Sequence, residues 1–195
     1  MARGGTLSPA LLVAAAGALL DGARAANSTA RLSEQFLSIV DDPGAAAWNA
    51  AFIHHAGHWS HVDHCTGQSC WPLPATAECD ELAEFARTEQ VLSAEAPEAG
   101  EVFLLWSPSK ERFVHTGIVL SAQRFEISRD NGKGGTRREA RFECHTIEGN
   151  ITSTGYVGGD RLARVRRVLS PARGDRTIRW TELEERVVST RRRAA

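Results

Sequence analysis

Histidines and thiols are the residues of this chain best suited to chemistry, and their positions are uneven. His115 falls in the middle of FVHTGIVLS, an apolar stretch with the two-residue period of a strand, on one face with Phe113, Gly117 and Val119. A histidine so placed is either a general base or a core imidazole hydrogen-bonded to a carboxylate. Further on, TIEGN puts Glu148 and Asn150 together on one face of a later strand, although Glu-Gly-Asn followed by TSTG is also ordinary turn chemistry. Of the four cysteines, Cys79 lies in the first turn of an amphipathic helix, where the helix dipole lowers a thiol's pKa, but a small buried side chain on such a helix is the better reading. Cys144 shares the strand face of Thr146, Glu148 and Asn150 but lies roughly 13 Å from Glu148 along the strand, too far to share a proton. Cys65 and Cys70 flank the turn-forming Thr66-Gly67-Gln68-Ser69 and can close a small loop in an oxidising compartment.

A second constellation is rich in histidine: His54, His55, His58, His61, His64 and Cys65. His54 and His58 are one helical turn apart, and His61, His64 and Cys65 can fold back over them, a ligand set that zinc accepts. It matches no standard metal-site spacing. A polar helix end and loop lining the mouth of a cleft accounts for the same residues.

The elements that must position these groups follow from periodicity. Residues 9 to 58 read as helical, with Ser8-Pro9 as a start and a break near Asp42-Pro43-Gly44, after which a helix begins at Ala45 to Trp48 and turns Trp48, Ala51 and Phe52 toward a core. Thr76 has the position of an N-cap for AECDELAEFARTEQVL. After Pro97 and Gly100 the period becomes strand-like, in EVFLLW, FVHTGIVLS, ARFECHTIEGN and RLARVRRVL, separated by SRDNGKGGT and TSTGYVGGD. Helices followed by consecutive strands predict an α+β domain with N-terminal helices packed on an antiparallel sheet.

Four phrases in this order, AWNAAFIHHAG, LPATAECDELAEFA, AGEVFLLWSPSKERFVHTGIV and TIEGN, resemble the CHAP family of cysteine- and histidine-dependent amidohydrolases and peptidases, within the NlpC-like papain-fold superfamily. The resemblance covers roughly residues 40 to 170. It implies a papain-like fold with a partly barrel-like sheet, His115 as base, Glu148 or Asn150 as the group that orients it, and hydrolysis of amide bonds in peptidoglycan or related peptides. Where the family writes W-C-A-A-F, with the cysteine as nucleophile held as thiolate by the helix dipole and the histidine, this chain has Trp48-Asn49-Ala50-Ala51-Phe52. A carboxamide has neither an ionisable proton nor a usable lone pair for acyl transfer, so Asn49 can cap its helix or bind an amide but cannot be the nucleophile.

The expectation is therefore a CHAP-like domain with altered or lost catalysis, whose cleft is lined by Trp48, His54, His58 and Trp59. The alternatives are a non-catalytic module binding a peptide or cell-wall fragment in the same cleft, and a His/Cys metal-dependent hydrolase. No P-loop or dinucleotide fingerprint is present and no cofactor is expected.

The whole-chain numbers suit an ordinary globular domain: 195 residues, 42% hydrophobic, net charge -1. Near-neutral charge argues against nucleic acid as partner, the late basic clusters reading as a solvated face and a tail. No apolar run is long enough to span a membrane. Residues 1–30 form either a helix or a signal-like segment, since MARGGTLSPALLVAAAGALLDGARA has a basic start, an apolar centre and an Ala23-Arg24-Ala25 end, while Asp21 disfavours export; secreted or periplasmic and cytoplasmic locations both remain open. The resemblance implies a CHAP-like domain over residues 31–181, with residues 182–195 expected as a basic tail.

Overall fold

The computed structural model describes residues 8–26, 30–41, 47–62, 69–130, 132, 135–152, 155 and 158–183, the side chains of 24–26 and 30–32 excepted. Four helices precede six strands among these residues: α1 (Pro9–Ala26), α2 (Ala30–Ile39), α3 (Asn49–Ser60), α4 (Cys79–Thr88), β1 (Leu92–Ser93), β2 (Val102–Ser107), β3 (Arg112–Asp130), β4 (Thr136–Ile151), β5 (Arg161–Leu169) and β6 (Arg176–Ile178). The protein is α+β, and its strands form one antiparallel sheet in the order β1-β6-β2-β3-β4-β5. The sheet is open, with β1 and β5 as its edges.

Helix α1 starts with proline at its first position, where the missing N–H costs nothing, and Leu12, Ala16, Leu20 and Ala23 form its buried stripe. Helix α3 is buried nearly all round, through Ala50, Ala51, Phe52, Ile53 and Ala56, because α1 and α2 pack against it on one side and β3 and β4 on the other. It begins at Asn49 rather than at Ala45 to Trp48. Helix α4 begins later than Thr76 suggests: Thr76 Oγ1 accepts the Glu78 N–H at 2.9 Å and donates to Glu81 at 2.5 Å, so it shapes the turn before the helix. Asp80 then accepts the Phe113 N–H at 2.8 Å and ties α4 to β3. No helix among the described residues is long and apolar enough to cross a membrane.

The large core lies between the helices and one face of the sheet, where Val102, Leu104, Ile118, Ile147 and Ile178 meet α1, α3 and α4; Trp180 and Leu183 also enter it. Phe103, Val119, Phe142, Cys144 and Leu169 form a smaller cluster apart from it, as strand alternation requires for Phe103 between Val102 and Leu104. Three irregularities interrupt that alternation, one of them between Val119 and Ser121 in the β3–β4 ladder. A register shift at Leu105/Trp106 sends Phe113 into the large core, so Phe113 and Val119 do not share a face as the simple period predicts. Another lies between Glu148 and Ile151, where Asn150 has φ of 59°.

Strands β3 and β4 run much further than their apolar cores. Residues 125–130 and 136–141 pair only with each other, forming a two-stranded arm in which Arg129 meets Glu139 and Glu126 meets Arg124 at its base. The segment read from sequence as a turn, SRDNGKGGT, thus begins inside β3 and ends inside β4.

Candidate functional site

The β3–β4 ladder runs from Ile118↔Ile147 to Asp130↔Thr136; before it, residues 112–117 of β3 pair with β2 alone, while Glu148 of β4 pairs with Ala163 of β5. The two strands part at His115 and Glu148, and the N-terminus of α3 brings Asn49 to the same place. All three side chains are completely buried.

The orientation of Asn49 follows from its own helix. The Ala50 N–H donates to Asn49 Oδ1 at 2.8 Å, and an N–H can only donate, so the amide oxygen must face it. Asn49 Nδ2 is thereby turned to His115 Nδ1, 2.8 Å away. Nδ1 is then the accepting lone pair, and Nε2 carries the ring proton and donates to Glu148 Oε2 at 2.8 Å. The Cys79 thiol donates to Asn49 Oδ1 at 3.3 Å, extending the chain of contacts to α4.

Glu148 is held from its other side. Arg167 Nε lies 2.9 and 3.0 Å from the two carboxylate oxygens and its Nη2 lies 2.6 Å from Oε2, while Thr146 Oγ1 donates to Oε1 at 2.5 Å. Burial acts most strongly on Glu148 and disfavours its charge. Hydrogen bonds and attraction from His115 and Arg167 together outweigh burial, and the carboxyl is held below its ordinary value. Arg167, 18% exposed, is the outward end of the network.

Two glycines make the convergence sterically possible. A Cβ at Gly117 would lie 2.7 Å from Glu148 Cγ and 2.7 Å from the Phe103 ring, and one at Gly149 would lie 2.4 Å from the Trp48 ring. Trp48 therefore packs down on the backbone next to Glu148, under Phe36 of α2 at 5.5 Å between ring centroids.

His115, Glu148 and Asn49 come together as the sequence phrases suggest. Asn150, the alternative orienting residue, instead takes the left-handed conformation that asparagine tolerates, and its carbonyl accepts the Gly158 and Gly159 N–H groups at 2.9 and 3.1 Å. Trp48 is buried, whereas Trp59 is 64% exposed and lies about 15 Å from Asn49 along α3. The Cys79 thiol is not activated by its helix: burial, with repulsion from Glu78 and Asp80, pushes it up to about 12. Burial likewise pushes Cys144 up to about 12.

The histidines divide by role. His54 and His58 rings are 6.0 Å apart, but His61 is structural, its Nδ1 against Ser60 Oγ at 2.7 Å and its Nε2 accepting the Ser8 N–H at 3.0 Å. Among the described residues no three His, Cys, Asp or Glu side chains converge as metal ligands. His64 and Cys65, and with them the Cys65–Cys70 pairing, lie outside the described residues, as does the chain from residue 184.

Sequence reasoning missed Arg167 and Thr146. A signal for Arg167 was present, since RLARVRRVL alternates Val165, Arg167 and Leu169 on one face, and an arginine at such a position needs a buried anion. Comparison of the chain with protein-family models, with curated proteins and with solved structures returns no match.

Proposed function

We propose that this chain is a CHAP-like, papain-type domain related to amide-bond hydrolases of peptidoglycan, in which the base and its orienting carboxylate persist while Asn49 stands in the nucleophile's place, so that amide hydrolysis is lost. The observation that carries the reading is the placement of Asn49 as the first residue of α3, on one ring nitrogen of His115, with Glu148 on the other. A nucleophile at that point would have a helix N-terminus and an imidazole lone pair beside it. Asn49 uses that lone pair as a hydrogen-bond acceptor instead. A second reading, a module binding a peptide or cell-wall fragment in the same cleft, has less support, because the three side chains satisfy one another and are fully enclosed.

The test is to restore the thiol. The native protein is expected to cleave neither peptidoglycan nor acyl-peptide substrates. Asn49→Cys is expected to add a thiolate absorbance at 240 nm that titrates below the free-thiol value of about 8.5, and to lose that shift on His115→Ala. Cleavage by the native protein, abolished by Cys79→Ala or Cys144→Ala, would overturn the proposal, because the chemistry would then reside on a thiol other than one at position 49.

A further inference from the structure

Helix α2 packs chiefly on α3, and its anchor is Phe36. That fully buried ring lies 5.5 Å from Trp48, 5.8 Å from Phe52 and 4.9 Å from His55, centroid to centroid. His55 is 2% exposed, and its Nδ1 has no hydrogen-bond partner. A doubly protonated imidazole needs an acceptor at each nitrogen, and Nδ1 has none here. The docked position therefore favours the neutral ring.

We propose that His55 is a pH-sensitive latch: its protonation releases Phe36 and α2 from α3, uncovering Trp48 and, behind it, the Asn49–His115–Glu148 site. The release of α2 stands by itself, while the significance of uncovering the site rests on the function proposed above.

The groups that act on His55 are few. Burial lowers its pKa from 6.5 to about 4, reinforced by His58 and then His54 on its own helix, and no carboxylate of the described residues offsets them. Glu34 of α2 is exposed, and α2 presents the Phe36 ring to His55. Because the docked value lies below the released one, docking is at full strength above pH 6.5 and weakens as pH falls, until the docked ring itself titrates near 4. With those two values the release equilibrium moves toward the open state by up to about twenty-fold between pH 7 and pH 5.

Hydrogen exchange resolved by mass spectrometry reads this directly, with rates corrected for the intrinsic effect of pH. Amides of residues 30–39 are expected to lose up to about twenty-fold in protection between pH 7 and 5 relative to those of the β3–β4 ladder, and His55→Phe is expected to abolish that loss. Unchanged protection of α2 relative to the ladder, or an equal loss in His55→Phe, would overturn the proposal. Phe36→Ala provides an arm independent of any change at His55: α2 should be deprotected already at pH 7 with little further change at pH 5, and native-like pH dependence would overturn the latch equally. Neither measurement depends on thiol chemistry at position 49, so failure of the latch and failure of the proposed function are separable.

Discussion

Replacing Arg167 by Met should be among the most damaging single changes outside the apolar core. Arg167 supplies a guanidinium to a completely buried carboxylate, reaching both oxygens of Glu148 at 2.6 to 3.0 Å. Methionine keeps most of the aliphatic bulk and none of the charge. Removing one partner of a buried pair costs about 3–5 kcal/mol. An independent bound comes from proton uptake: a carboxyl with an ordinary value near 4.3, forced neutral at pH 7, costs about 3.7 kcal/mol, from roughly 2.7 pH units at 1.36 kcal/mol each. The two routes agree on about 3–4 kcal/mol at pH 7. Urea denaturation followed by tryptophan fluorescence at pH 7, 6 and 5 should show the penalty shrinking by about 1.4 kcal/mol per pH unit, as protonation of Glu148 becomes cheaper. In the native protein the sign is opposite: Glu148 titrates below its unfolded value, so its contribution is present above about pH 4.3 and is lost as pH falls through the folded value. Adding Glu148→Gln to Arg167→Met should recover at least half the loss. A penalty under about 1 kcal/mol at pH 7, or one that does not change between pH 7 and 5, would refute the reasoning.

Nitrogen NMR of the His115 ring should find Nε2 protonated and Nδ1 bare, and the opposite tautomer would mean that the Asn49 amide is turned around. Gly117→Ala should cost about 1–3 kcal/mol by thermal or urea unfolding and loosen the His115–Glu148 contact, since the new methyl would crowd both Glu148 and Phe103; a neutral outcome would show that the strands yield there. Cys79 and Cys144 should stay unlabelled by iodoacetamide in the native protein at pH 7 to 8, as read by peptide mass spectrometry, because burial pushes both thiols up to about 12.

What could be read from sequence depended on how regular the local pattern was. RLARVRRVL gave β5 its bounds because turn-forming residues flank it and apolar residues recur along it. The outer halves of β3 and β4 were invisible, since Arg, Glu and Ser on an arm solvated on both faces carry no alternation. Strands β1 and β6 are two and three residues long and gain their pairing from partners far away in sequence. At the site, phrase order was enough to bring Asn49, His115 and Glu148 together. Period two could not separate Glu148 from Asn150, because the irregularity after Glu148 alters which way each residue points. Arg167 was missed for a related reason: its meaning depends on a buried anion that only the folded sheet supplies.

The place of β6 bears on how the chain reaches this structure. Ile178 pairs with both Leu92 and Val102, so β6 bridges residues 86 and 76 positions earlier and separates β1 from β2. Until residues 176–178 have been synthesised, β2 lacks one of its two neighbours and β1 has no place in the sheet. Contacts of such long separation are entropically late, and a partly made chain can mispair the open side of β2 in the meantime. Shortening the protein to a point before Arg176 would therefore remove an interior strand together with the buried Trp180, and would leave β1 without its partner in the sheet.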